Sequence, residues 1–287
     1  MVKNIDNNNQ PTIENEKRTS FRVAAIQMAS GPSVSANLEE AARLIEQAVL
    51  QKAELVVLPE YFCIMGLKDT DKLAVQEQPG DGQIQKFLSD TAKRLGIWLV
   101  GGSVPLASSE PDKVYNSCLV YADNGEQVAR YDKIHLFGLQ LGNEHYAEEK
   151  TIKAGNKVVT VDSPFGCIGL SICYDLRFPE LFRMMNKVDI ILAPAAFTAI
   201  TGKAHWEVLV RARAVENMAY VIAPGQGGYH VSGRETNGDS MIVDPWGVVM
   251  ERLPRGSGAV VATLDSGYQA SLRTNLPALD HRILQAC

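Results

Sequence analysis

The chain has 287 residues, 46% of them hydrophobic and 21% charged, with a formal charge of −5. That is ample apolar material for one large core, and the acidic balance argues against a nucleic-acid binder, which shows a basic stripe. No apolar run approaches the roughly 18 residues that span a bilayer, and the N-terminus has no apolar signal segment.

Residues 1–20, with Asn7-Asn8-Asn9 and scattered charges, cannot bury a hydrophobic face and read as a disordered tail. From Phe21 the segments alternate. A strand over Phe21–Met28 precedes a helix capped by Ser35, with Leu38, Ala42, Ile45 and Val49 at helical spacing. Leu55–Leu58 reads as a buried strand, Gln83–Leu95 as a helix and Ile97–Val100 as a strand. Val114–Tyr121 and Gln127–Lys133 form a hairpin through the Asn124-Gly125 turn. Next come a strand over Gly166–Ile172, a helix over Phe178–Asn186 with Pro179 in its first turn, and a strand over Val188–Leu192. A helix over His205–Ala219 and a strand over Tyr220–Ala223 follow. Strands at Ser240–Asp244 and Gly258–Leu264 flank Pro245-Trp246-Gly247. No low-complexity linker divides the chain. One α/β domain over residues 21–287 is expected, its sheets covered by helices.

Three side chains stand where strands end. Cys173 closes an apolar run and is followed at once by polar residues and a helix. A cysteine there is more often a small core residue, yet the carboxyl end of a strand is where open α/β sheets place their sites. A helix N-terminus nearby would favour its thiolate. Glu60 follows Leu55-Val56-Val57-Leu58-Pro59, and Pro59 stiffens that exit; a turn cap or a surface ion pair is the plain alternative. Lys133 sits among Ile134, Leu136 and Phe137, which favours a partly buried place over a solvated strand end. A thiol, a carboxylate and an amine are the parts for attack on a carbonyl carbon.

Other polar residues read more blandly. His135 is expected to be hydrogen-bonded in the core, and His205, at a helix start, to line a pocket wall. Asp175 and Arg177 would pair with each other or with nearby backbone. Cys63, Cys118, Cys167 and Cys287 have no metal-ligand spacing, and no CxxC pair marks a zinc or redox site. Unpaired thiols suit a reducing compartment, so a cytoplasmic location is expected. Glu148 and Glu149 fit a solvated turn.

Leu58-Pro59-Glu60, Tyr131-Asp132-Lys133-Ile134-His135-Leu136-Phe137 and Ile172-Cys173-Tyr174-Asp175-Leu176-Arg177-Phe178-Pro179-Glu180 together resemble the carbon–nitrogen hydrolase (nitrilase) superfamily, in family order. The resemblance runs from about Phe21 to about Arg282. It implies a four-layer αββα sandwich and a Glu–Lys–Cys triad of Glu60, Lys133 and Cys173. It also implies a second glutamate, for which Glu148 aligns best with Glu149 beside it. Tyr174 stands where true nitrilases carry tryptophan. The string around Cys173 resembles the Nit amidase branch, which implies an amidase acting on a small acidic metabolite. Residues 202–216 and 238–247 are closest to the deaminated glutathione amidases, with omega-amidases next. Asp239 stands where that branch has histidine.

The implied cycle begins with Glu60 taking the thiol proton. Lys133 and the Tyr174 backbone N–H meet the oxyanion, ammonia departs, and water cleaves the thioester. Arg177, Lys203 and His205 are candidates for binding substrate. No metal or cofactor is needed, and the family implies a homodimer or higher homo-oligomer. A catalytically silent scaffold that binds a metabolite or partner is the alternative from another class.

Overall fold

The computed structural model of the chain describes residues 19–142 and 144–284. The expected N-terminal tail lies outside the described residues up to residue 18, and so does Cys287. The first half comprises β1 (Ser20–Gln27), α1 (Val34–Leu50), β2 (Leu55–Val57), α2 (Asp71–Ala74), α3 (Gln83–Leu95), β3 (Trp98–Val100), β4 (Val104–Ala107), β5 (Val114–Tyr121) and β6 (Gln127–Asp132). A hairpin, β7 (Gly138–Leu141) and β8 (Glu144–Ala147), follows. The second half carries β9 (Thr160–Ser163), β10 (Gly166–Leu170), α4 (Pro179–Met184), β11 (Ile190–Leu192), α5 (Ala199–Asn217) and β12 (Tyr220–Ala223). It closes with β13 (Gly227–Tyr229), β14 (Glu235–Asn237), β15 (Ser240–Val243), β16 (Val249–Leu253), β17 (Gly258–Asp265) and α6 (Ser266–Asn275).

Two sheets result. The first runs β17-β1-β2-β3-β5, with β4 continuing along the edge of β5 that β3 occupies and β6 on the other edge. The second runs β16-β15-β12-β11-β10-β9. The period-2 geometry of a strand sorts β1 onto two faces. Val23 and Ala25 join a core shared with Ile168, Leu170, Ile190 and Leu192 of the second sheet. Ala24 and Ile26 join a separate core with Leu44 and Ile45 of α1 and Leu88 of α3. Trp206, Val210 and Ala214 of α5 cover the second sheet. The layers therefore stack helix, sheet, sheet, helix, as the resemblance implied.

Several boundaries move. Ser33, not Ser35, caps α1, its hydroxyl accepting from the Ala36 N–H at 3.4 Å. The buried stripe of α1 is centred on Ala41, Leu44, Ile45 and Ala48, with Leu38 and Val49 at its margins. Helix α5 starts six residues before His205, with the Thr198 side chain accepting from the Thr201 N–H. The β5–β6 turn forms as expected, with Gly125 at φ +85°, a left-handed value that glycine adopts without strain.

Candidate active site

The carboxyl ends of three strands converge where the sheets face one another. Glu60 lies three residues beyond β2, and Lys133 immediately beyond β6, both on the first sheet. Cys173 lies three residues beyond β10 on the second.

Glu60 is 1% exposed. Its exit loop folds tightly against Gly102, where any Cβ would collide with the carbonyl oxygens of Leu58 and Pro59. Tyr61 then adopts φ +56°, a region costly for a non-glycine residue. The Ser103 hydroxyl accepts from the Tyr61 N–H at 2.9 Å, and the Gln226 amide donates to the Glu60 carbonyl at 3.1 Å. The Asn116 amide of β5 donates to Glu60 Oε1 at 3.0 Å.

Lys133 is wholly buried. Its Nζ lies 2.8 Å from Glu60 Oε1 and 2.8 Å from Glu148 Oε2. Glu148 is held in turn by the Tyr61 hydroxyl at 2.8 Å and the Phe137 N–H at 2.7 Å. Burial works against the Lys133 charge, but the Glu148 and Glu60 carboxylates outweigh it and hold its pKa above the ordinary lysine value. Burial opposes the Glu148 charge as well, yet the Lys133 ammonium and the Phe137 N–H leave that carboxyl below its ordinary range. Of the adjacent pair, Glu148 faces the lysine and Glu149 is exposed.

Cys173 opens a 3₁₀ turn over Cys173–Arg177 at φ +52°, its N–H donating to the Pro194 carbonyl at 2.9 Å. This sharp strand-to-helix turn lifts the thiol clear of the sheet, as nucleophile elbows do. The second position of the turn leaves the Tyr174 N–H with no earlier carbonyl inside the turn to accept it. The shift of the thiol runs opposite to the one a nearby helix N-terminus would give. Burial pushes its pKa well above the ordinary cysteine value, and the Glu60 carboxylate adds to this. Lys133 and the backbone at Ala196 offset only part. The surroundings of Cys173 therefore favour the neutral thiol over the thiolate.

Asp175 is fully buried and does not pair with Arg177. Its Oδ2 accepts from the Tyr131 hydroxyl at 2.7 Å and the Ile172 N–H at 2.9 Å. Its Oδ1 accepts from the His135 N–H at 3.1 Å and faces His135 Nδ1 at 2.7 Å. The residues two before and two after Lys133 are thus tied to the turn that carries Cys173. His135 is hydrogen-bonded as expected, though its ring is 26% exposed and stacks on Phe178.

Two adjoining cavities open on these groups. A narrow inner pocket is lined by Glu60, Cys173, Arg177, Phe197 and Thr201, and an outer chamber of about 360 Å³ is lined by Lys68, Lys72, Tyr146 and Ser232. Phe137, Glu148 and Arg234 border both. Arg177 reaches the inner pocket, its guanidinium over the Tyr174 and Phe197 rings. His205 is exposed on the second turn of α5, and its Nδ1 meets Arg177 at 3.2 Å. It lies behind the arginine rather than on the wall. Lys203 is exposed on α5 and lines neither cavity, because the earlier helix start carries it outward. Asp239 also lies off the pocket, bound to Arg252 Nε at 2.9 Å.

Sequence reasoning missed Asn116, Tyr61, Thr201 and Arg234. Asn116 left a signal, a polar residue inside the otherwise apolar run of β5; the other three reach the site through tertiary contacts. Among the described residues, no cluster of three His, Cys, Asp or Glu side chains converges to hold a metal ion. No helix there is long and apolar enough to cross a membrane.

A carbon–nitrogen hydrolase family model matches residues 22–274. A deaminated glutathione amidase of Synechocystis is 43% identical over 92% of this chain and 98% of its own. One of Dictyostelium discoideum is 39% identical over 92% of this chain and 94% of its own. The crystal structure of Saccharomyces cerevisiae Nit3, a member of branch 10 of the nitrilase superfamily, matches with a TM-score of 0.84 at 32% identity. It covers 93% of this chain and 97% of that one. With matches of this extent and the same layered sandwich, the chain belongs to the carbon–nitrogen hydrolase family.

Proposed function

We propose that the protein is a thiol amidase that cleaves a linear amide of a small acidic metabolite through a thioester, with deaminated glutathione as its first substrate. Cys173 is the nucleophile, Glu60 the general acid–base and Lys133 the oxyanion cation. The observation that carries this reading is the buried Glu60–Lys133–Glu148 ion cluster in the pocket that Cys173 opens into. The substrate follows the relatives named above.

A resting thiol requires a base at the moment of attack. Glu60 accepts the thiol proton as sulfur bonds to the carbonyl carbon, and the C=O electron pair moves onto oxygen. The Lys133 ammonium and the Tyr174 N–H stabilise that oxyanion. Collapse breaks the C–N bond, and Glu60 returns the proton to the departing amine. Glu60 then deprotonates a water that attacks the thioester, and the thiol leaves with the proton. Glu148 keeps Lys133 charged and fixed in place throughout. The departing amine depends on the substrate: ammonia from a primary amide, cysteinylglycine from the γ-amide of deaminated glutathione.

The test compares kcat/KM for deaminated glutathione, 2-oxoglutaramate and propionitrile, following 2-oxoglutarate formation for the first two and ammonia for the nitrile. Deaminated glutathione should lead. A lead for 2-oxoglutaramate would make the protein an omega-amidase with the same triad, and a lead for the nitrile would remove the amidase reading. We also read Ile200, Val208 and Val215 of α5 and nearby Trp246, all exposed, as support for a homo-oligomer, to be checked by sedimentation velocity. The free-thiol nucleophile fits a reducing, cytoplasmic setting.

A further inference from the structure

The outer chamber contains cations that the reaction itself does not use. Lys72 is partly buried, with its Nζ 3.3 Å from the Thr151 hydroxyl and 5.5 Å from the centre of the Tyr61 ring. Arg234 donates to the Ala196 carbonyl at 2.8 Å and lies over the Tyr146 ring. Its Nε is buried with no hydrogen-bond partner. Among the described residues, no carboxylate lies within ion-pair distance of either side chain, although Arg and Lys elsewhere on this chain pair repeatedly. Lys68 stands exposed on the same wall.

We propose that the outer chamber is a subsite for a carboxylate on the leaving-amine side of the scissile amide, held by Lys72 and Arg234. This rests on the amidase reading above and extends it to the half of the substrate that departs first. Two observations fix the side. Glu148 borders both cavities, so the outer chamber begins directly at the ion cluster beside which the C–N bond breaks. The amine must also depart and water enter while the acyl group stays bonded to sulfur, and the roomier chamber gives both a route. A primary amide would send only ammonia into it. A dipeptide amine extends about 7 Å and ends in a carboxylate, for which two cations lacking carboxylate partners form charge-assisted contacts. Burial, with the nearby Arg234 and Lys133 charges, depresses the Lys72 pKa against the pull of Glu148 and Asp69. An incoming carboxylate reverses that penalty.

The experiment measures kcat/KM for deaminated glutathione and for its glycine carboxamide, which keeps the scissile bond and acyl group but loses the leaving-side charge. The wild-type enzyme should prefer the free acid by tenfold or more. Lys72→Met and Arg234→Gln should each narrow that ratio several-fold, and Lys72→Arg should restore most of it. Because the ratio is internal to each variant, partial loss of folded protein does not alter it. A wild-type ratio near one, with both compounds turned over well, would overturn the subsite and leave the amidase intact. So would a preference that survives in Lys72→Met and Arg234→Gln. If 2-oxoglutaramate is hydrolysed and neither glutathione derivative is, the substrate reading fails and the subsite with it.

Discussion

The inner pocket and the outer chamber are built on opposite principles. Around the thiol the ion cluster and the turn that carries Cys173 are over-determined: Lys133 meets two carboxylates, Glu148 accepts from three groups, and Asp175 is held by three residues. In the outer chamber Lys72 and Arg234 have aromatic faces and a few neutral acceptors. Catalytic groups need a fixed geometry, since misplacement by about 1 Å can cost on the order of 100-fold in rate. Groups that greet a departing fragment need only a charge within reach.

The largest effect should come from the thiol. Cys173→Ala should lower kcat by at least about 10³-fold while the melting temperature moves little, because the change removes one small atom. Wild-type-like turnover on a verified substrate would remove Cys173 from its role. Lys133→Met should follow, losing about 2.7–4 kcal/mol of transition-state stabilisation. It should also destabilise the fold, since it leaves Glu60 and Glu148 buried without their cation. Unchanged thermal stability would mean that the two carboxylates do not depend on this cation in the folded state.

Asp175→Asn tests positioning. Its amide cannot accept on both sides, so kcat should fall about 100-fold with KM nearly constant, and the pH profile should be distorted. An equal rise in KM would make Asp175 a binding residue instead.

The smallest effect concerns stability against pH. His230 is buried between the Ser30 carbonyl and the Thr236 hydroxyl, at 2.9 and 2.8 Å, and burial lowers its pKa. The folded state therefore prefers the neutral ring. That contribution is complete above the unfolded value of about 6.5 and is lost as pH falls through it. The Glu148 contribution, from a lowered carboxyl, persists to more acidic pH and is lost below the ordinary value of about 4.5. Thermal melts should show two separate declines, and His230→Gln should remove only the upper one.

Where the sequence was readable, an apolar run ended on a reactive side chain. That placed Glu60 and Cys173 at strand ends, while Lys133 was marked by the apolar residues after it; the alternation of elements implied sheets covered by helices, and the αββα order came from the family resemblance. The start of α5 was hidden by Gly202, a poor helix former that stands inside the helix because a Cβ there would strike the Asn237 side chain. The β7–β8 hairpin and β16 are short, partly exposed strands with little apolar patterning. Arg234 could not be foreseen, because it follows the turn of the β13–β14 hairpin and enters the site only through folding. The upward shift of the thiol was not legible, because a helix terminus is visible in sequence, whereas desolvation is not.

Glu60 and Lys133 belong to one sheet and Cys173 to the other, so neither half of the chain contains a working centre. The docking of the layers is itself a step in assembling the enzyme. A collapsed state with both sheets formed but displaced by one residue would be compact, rich in secondary structure and inert. Recovery of turnover after denaturant dilution should therefore lag the recovery of far-ultraviolet circular dichroism, and would time the moment when the two sheets come into register.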